Sequence, residues 1–371
     1  MANLNLILNM KDSLISRHSV LRFSMRNLAL SVSLLFLCSA ASFAQRRIAL
    51  YAIGFYNLEN LFDTEHDEGK NDQEYLPDGD NHWNEMKYTH KLTNMSRALA
   101  DMATDRLPGL GCAIIGVSEV ENAHCLTDLC AQEPLAKRGY KFVHIEGPDK
   151  RGVDCALLYN PRFFNPAKYW LQPYVLREDI NSRPTRGFLT VQGTLGGDSL
   201  TVIVCHWPSR MGASPLREWA GDQVRALKDS ILAANPKMGV AVMGDLNDDP
   251  FSPSIAKNLG ARRKISDVTD GEMYNPWWQI LLDGPGTLMW DGKWNLFDQI
   301  ILSSNLLDIK GTKAYNHITF YRAEVQRLPY LLHSSGANKG APKRTHQAGI
   351  WLDGFSDHLP VVVFMTKNMN K

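Results

Sequence analysis

From Ile48 onward the chain alternates short apolar runs with polar turns. The β-rich runs are IALYAIGFYN (48–57), CAIIGVSEV (112–120), YKFVHIEG (140–147), VDCALLYN (153–160), FLTVQGTL (188–195), SLTVIVCHW (199–207), MGVAVMGDL (238–246), LFDQIILSS (296–304) and LPVVVFM (359–365). Some alternate apolar and polar residues, as a strand with one wet face does. Others, such as MGVAVM, are apolar throughout, as in a strand covered on both sides. Between them, 88–103 (YTHKLTNMSRALADMA) and 214–235 (SPLREWAGDQVRALKDSILAAN) have helical spacing, the second opened by Pro215 and closed by Asn235 and Pro236. Strands interleaved with long helices, without a break in composition or an internal repeat, predict a single domain over 45–371, built as two packed sheets covered by helices. Three stretches lack periodicity and are expected to be loops: 65–85, 273–294 with its four tryptophans, and the basic, glycine-containing 320–349.

The N-terminus departs from this pattern. Arg22 and Arg26 precede LALSVSLLFLCSAASFA (28–44), an apolar stretch too short for a comfortable membrane span and ending in small residues. Residues 1–44 therefore read as a cleaved signal peptide, with Met25 an alternative start, and the protein as periplasmic or extracellular. Six cysteines become five once Cys38 leaves, without a CxxC spacing, which is not a disulfide scaffold. Cys112, Cys155 and Cys205 lie in apolar runs; pairing of Cys125 with Cys130 is left open. The 371 residues carry a net charge of +1, so no basic surplus exists to hold a nucleic-acid backbone by charge alone.

The informative polar residues stand at strand ends. Asn57 and Glu59 close the first run, and Glu119 and Glu121 the second. His206, Ser209 and Arg210 follow SLTVIVCHW, Asp245 and Asn247 lie in GDLNDDP (244–250), Asp298 opens its strand, and Asp357 and His358 precede the last. One acid after a strand is usually a turn former. Six strand ends that together supply hard-cation oxygens and two histidines suit phosphoester hydrolysis with a divalent ion. Magnesium takes few carboxylates and keeps several waters, so Glu119 with Asn57, backed by Glu59, fits its sparse shell. No HExxH or zinc-spaced Cys/His set occurs. Asp245, or an Asp–His couple, suits a general base, and Asn247 can donate to a phosphate oxygen. Asp248 and Asp249 are expected to be turn and solvent residues.

These motifs, in this order over about residues 48–365, resemble those of the endonuclease/exonuclease/phosphatase superfamily, the DNase I-like fold. FYNLENLF resembles its first-strand asparagine motif, GVSEVEN its glutamate motif, VCHWPSR its histidine motif, MGDLNDDP its GDxN signature, LFDQIILS its late aspartate motif and FSDHLPVVV its SDHxP signature. The resemblance implies a four-layer α/β sandwich of two mixed β-sheets flanked by helices, with Mg2+ (or Mn2+ or Ca2+) at one end of the sheets. It assigns the metal to Glu119, with Asn57 and Glu59 nearby and Asp357 as a second-site ligand. Asp245 and Asn247 fall at the scissile phosphate, Asp298 orients His358, and His206 becomes a general-acid candidate that Asp154 orients. Arg210 is a phosphate clamp by this reading. Many relatives carry asparagine just before the histidine, where this chain has Cys205; if that amide contributes, a donor is lost.

The function expected is an exported, metal-dependent phosphodiester hydrolase, most simply a nuclease acting on DNA or RNA, with 320–349 as a backbone-contacting loop. The alternatives are a phosphomonoesterase or a lipid or inositol phosphodiesterase of the same fold and, in another class, a non-catalytic binding module. No stable protein partner is implied, and a monomer is expected.

Overall fold

The apolar runs become strands buried on both faces. In β1 (Ile48–Leu61), Ala52, Tyr56 and Leu58 face one apolar layer while Ile53 and Phe55 face another. In β8 (Gly239–Asp245), Val240 and Val242 face a third layer, and Ala241 and Met243 point back to the second. The remaining strands in chain order are β2 (Ile114–Val120), β3 (Lys141–His144), β4 (Asp154–Tyr159), β5 (Phe164–Gln172), β6 (Phe188–Leu195), β7 (Asp198–His206), β9 (Ala261–Arg262), β10 (Met273–Tyr274), β11 (Leu288–Trp290), β12 (Lys293–Asn295), β13 (Asp298–Ser303), β14 (Thr319–Val325), β15 (His346–Gln347), β16 (Ile350–Trp351) and β17 (Val361–Asn368). One sheet runs β14-β17-β1-β2-β4-β3 and the other β5-β6-β7-β8-β13-β10-β9. The middle apolar layer lies between the sheets, and the outer two lie under helices: a four-layer α/β sandwich, as the sequence predicts. The computed structural model describes residues 47–290 and 292–370; the expected signal peptide, 1–44, lies outside the described residues. Residues 49–368 make up one compact unit, and of the remaining grouping (1–48 with 369–371) only 47, 48, 369 and 370 are described.

Both long helices form where the spacing places them. In α1 (Glu85–Asp101), Asn84 caps the N-terminus by accepting from the Lys87 amide, and Tyr88, Leu92, Met95 and Leu99 form the buried stripe. Shorter α2 (Ala123–Ala131) and α3 (Glu133–Ala136) follow β2. The long α4 (Ser214–Ala234) carries Pro215 in its first turn, where a missing N–H is harmless.

The three expected loops are more ordered than their patterns suggest. In 65–85, Tyr75 stacks on Phe62 with centroids 4.2 Å apart, and buried Trp83 donates from Nε1 to the Phe62 carbonyl. The 273–294 stretch holds β10, the helix α5 (Trp277–Asp283) and the β11–β12 hairpin, each too short for a visible period. Trp277 is core and donates to the Ile300 carbonyl at 2.9 Å. Within 320–349, residues 320–325 belong to edge strand β14, and β15 begins at His346.

Candidate functional site

Strand register assembles the site. β7 and β8 run parallel with His206 opposite Asp245, and antiparallel β8 and β13 set Asp245 opposite Asp298. The glycine of the GD pair permits this: a Cβ at Gly244 would lie 2.0 Å from the Cys205 carbonyl oxygen. In the other sheet β1 and β2 run parallel with Asn57 opposite Ser118, and the ladder then shifts register, turning Glu119 (φ 59°) toward the space between the sheets. His358 arrives just before β17. Its amide donates to Ser356 Oγ, which itself donates to the Asn57 carbonyl at 2.7 Å.

Asp245 is the hub of the cleft. Its Oδ2 accepts from Asn57 Nδ2 at 3.1 Å and lies 3.7 Å from His206 Nε2 and 3.8 Å from His358 Nε2, while Oδ1 accepts the Asn247 amide at 3.0 Å. Burial, and secondarily the Asp298 charge, push its carboxyl up to about 7 against the pull of His358. His358 Nδ1 meets Asp298 Oδ2 at 2.7 Å. Burial disfavours its charge, yet Asp298 and Asp245 outweigh burial and hold the imidazolium well above the ordinary histidine range. His206 goes the other way: burial first and the Arg186 guanidinium second drive it well below that range. Neutral and 3.7 Å from Glu119 Oε1, it is an N–H donor rather than a charged acid. Burial alone would raise Glu119, but the positive charges of Arg151 and His358 bring its carboxyl down to about 2, so it stays ionised.

Glu119, Asn57, Asp245, Asn247, His206, Asp298 and His358 therefore meet in one cleft, with Asp357 at its edge, 3.9 Å from His358 Nε2. Four assignments change. Asp154 does not orient His206: its Oδ2 binds His144 Nε2 at 3.1 Å and the Gly147 amide at 3.2 Å within its own sheet, and His206 Nδ1 has no partner. Glu59 is turned away by its left-handed backbone (φ 47°), and its oxygens accept the Thr345 amide and Arg344 Nε at 3.0 Å, which leaves it unsuited to a metal. Arg210 cannot clamp phosphate, because it donates to the Asn247 carbonyl, Asn295 Oδ1 and Asp249 Oδ2 while stacked on Phe297. Asp248 and Asp249 are buried rather than solvated. They pair with Arg217 at 2.9 Å and Arg210 at 2.8 Å, and Asp249 Oδ1 also caps the Leu296 amide. Cys205 packs with the apolar layer under α4, on the face of β7 opposite His206, where an amide would not reach the cleft. All five described cysteines are free thiols.

Two site residues escaped the sequence reading. Arg151, half exposed, sits 3.4 Å from Glu119 Oε2, and Arg186, buried, binds Asp149 at 2.7 Å and faces His206. A basic residue just outside a strand was their only signal.

The donors fit a hard divalent cation. Glu119 is a permanently charged carboxylate with Oε1 turned into the cleft, its neighbours are amide and carboxylate oxygens, and no thiol intrudes. One or two carboxylates with water and substrate oxygens are the usual magnesium shell. Two other groups of acids are otherwise engaged: Asp63–Glu121–Cys125, where burial pushes Glu121 up to about 9, and His144–Glu146–Asp154, which Lys70 neutralises at 2.7 Å from Glu146.

Known proteins share this plan. No curated protein matches the sequence. Among solved structures, an endonuclease/exonuclease/phosphatase family protein from Bacteroides thetaiotaomicron is 14% identical with a TM-score of 0.53, covering 88% of this chain and 98% of its own. The mannosyl-6-phosphatase of the same organism is 15% identical with a TM-score of 0.52, covering 85% and 99%. D. rerio TDP2 in complex with a single-strand DNA product is 14% identical with a TM-score of 0.50, covering 85% and 99%. At such identities these likenesses establish the fold. The profile of the Endonuclease/Exonuclease/phosphatase family matches residues 52–367, and the chain therefore belongs to that family of metal-dependent phosphoric ester hydrolases.

Proposed function

We propose that the cleft hydrolyses a phosphate ester by attack of water that Asp245 deprotonates, with Mg2+ held at Glu119 beside Asn57 and with Asp357 within reach. The observation that carries this reading is Asp245 itself, a buried carboxyl pushed up to about 7 and clasped by Asn57 and the Asn247 amide. A base whose affinity for a proton matches the working pH is the efficient one. His358, charged and fixed by Asp298, offers Nε2–H to a phosphoryl oxygen on which charge grows, and neutral His206 offers a second N–H. The cation, when bound, polarises the phosphoryl oxygen and offsets its charge. Arg151, half exposed and 3.4 Å from Glu119 Oε2, would offer its guanidinium to a phosphate bound there.

The nuclease reading draws support from the fold shared with a TDP2 that holds single-strand DNA product. A specific observation favours a second reading, a phosphomonoester of a small alcohol. The arginines expected to track a strand are occupied: Arg322 pairs with Glu324, Arg327 lies over Trp294 and donates to the Gly340 carbonyl, and Arg344 binds Glu59 and Asp357. Export rests on the N-terminal run, and protein retained in the cytoplasm with residues 1–44 still attached, as read by fractionation and N-terminal sequencing, would overturn it.

The test is hydrolysis of p-nitrophenyl phosphate, bis-p-nitrophenyl phosphate and oligonucleotides with and without Mg2+. Chelation is expected to abolish turnover, and Asp245→Asn to lower kcat by about 10^2–10^4-fold. Undiminished activity in either case overturns the reading.

A further inference from the structure

Beside the cleft lies a second cavity of about 280 Å3. One wall is the bulge of β1, where Glu59 and Asn60 are both left-handed (φ 47° and 57°) and the register against β2 shifts between Asn57 and Leu61. Facing it is the β15–β16 hairpin, whose turn residues Ala348 and Gly349 have φ of 50° and 77°. Glu74, Tyr75 and Asn81 complete the lining.

The cavity borders the catalytic cleft twice. The Asn60 amide donates to Glu119 Oε2 at 3.1 Å, and Arg344, in the lining, reaches Asp357 Oδ2 at 3.1 Å, next to His358. Its walls are fixed in advance. The buried Lys91 ammonium donates to the Phe355 carbonyl at 2.5 Å and to Thr345 Oγ1, and Trp83, His346 and Trp351 pack together with ring centroids 5.2–5.7 Å apart.

The chemistry of the lining selects a ligand class. With Glu59 and Arg344 engaged with each other, it offers the exposed Glu74 carboxylate and the side-chain amides of Asn60, Asn81 and Gln347, groups that donate to and accept from hydroxyls. Its aromatic rings are already engaged, which leaves a nucleobase little to stack on: Tyr75 is only 9% exposed and lies against Phe62 at an interplanar angle of 6°, and the His346 ring packs against Trp83 and Trp351. The volume falls at the small end of ligand pockets, which start near about 300 Å3, so it suits one ring rather than a polymer.

We propose that this cavity seats the organic half of the substrate, and that this half is a polyhydroxylated ring, a sugar or cyclitol carrying the phosphate ester. The proposal rests on the hydrolytic reading above and names its substrate class. The water oxygen bonds to phosphorus, the bond from phosphorus to the ring oxygen breaks, and one proton of the water ends on the released ring hydroxyl.

The test compares kcat/KM for hexose phosphates, cyclitol phosphates, p-nitrophenyl phosphate and a single-stranded oligonucleotide, in wild type and in the double variant Glu74→Ala/Gln347→Ala. Both side chains are exposed, so the fold tolerates their loss. A sugar or cyclitol phosphate is expected to exceed p-nitrophenyl phosphate by about tenfold or more, and the variant to lose that advantage while p-nitrophenyl phosphate turnover stays within about twofold. Cleavage of p-nitrophenyl phosphate without preference for any ring phosphate overturns the proposal alone. So does preference for the oligonucleotide, or a variant that lowers all substrates equally or none. Failure to cleave any ester overturns the hydrolytic reading and this one with it.

Discussion

Asp298→Asn isolates the electrostatics of the site. Asp298 is fully buried, and its Oδ2 sits 2.7 Å from His358 Nδ1. Asparagine keeps the shape, and its Oδ1 can still accept from Nδ1–H, so the substitution removes a charge and little else. Opposite charges about 4 Å apart attract by ~4 kcal/mol at an effective dielectric of about 20. Breaking a buried pair from one side costs about 3–5 kcal/mol, because the other charge is stranded. The sign with pH follows from the direction of the shift. Folding raises the affinity of His358 for its proton, so the pair's stabilisation is complete below the unfolded histidine value of about 6.5 and fades as pH rises through the higher folded value. Urea titrations from pH 5.5 upward should therefore show the wild type ahead of the variant by several kcal/mol at the acid end and the gap closing toward alkaline pH. In parallel kcat should fall by about 10^2–10^4-fold. A gap that widens with pH, or a variant with full activity, would refute the claim that Asp298 holds His358 charged.

Three further outcomes are expected. Glu119→Gln should weaken Mg2+ binding at least about tenfold in calorimetry without substrate, since it removes the carboxylate that its neighbours hold down at about 2 and that turns Oε1 into the cleft; an unchanged Kd would place the ion elsewhere. Arg210→Ala should cost about 1–3 kcal/mol of stability while leaving KM within about twofold, because its donors hold Asn247, Asn295 and Asp249 rather than substrate; a large rise in KM with stability intact would restore the phosphate clamp. Burial, with the charges of Asp63, Asp67 and Asp72 behind it, pushes Glu121 up to about 9, so the native state keeps a proton that the unfolded chain has released. Stability conferred by that carboxyl falls as pH rises from about 4.5 to 9, and Glu121→Gln should therefore melt above wild type by a margin that grows with pH. A constant margin would mean that Glu121 is ionised in the fold.

What the sequence disclosed and what it hid divide along a physical line. Strands buried on both faces announce themselves as apolar runs, so the four layers were legible from patterns such as MGVAVM, and the ends of those runs marked where polar groups gather. The pairing of Asp298 with His358 was also expressible in advance, through the resemblance of LFDQIILS and FSDHLPVVV to family motifs rather than through any local pattern. The side to which an acid turns is a different matter. Glu59 and Glu119 both stand at strand exits and both take left-handed backbone, yet one carboxylate faces Arg344 and the other the cleft. Asp245, Asp248 and Asp249 lie within five residues, and only the first belongs to the cleft, because Arg217 and Arg210 arrive from elsewhere in the chain to neutralise the other two. A carboxylate's role is set by the cation that reaches it, and those cations come from distant segments whose registers no local period encodes. The same reasoning explains the missed Arg151 and Arg186. Their meaning lies in Glu119 and His206 rather than in their own neighbours: Arg151 holds Glu119 charged against burial, and Arg186 adds to the burial that keeps His206 neutral.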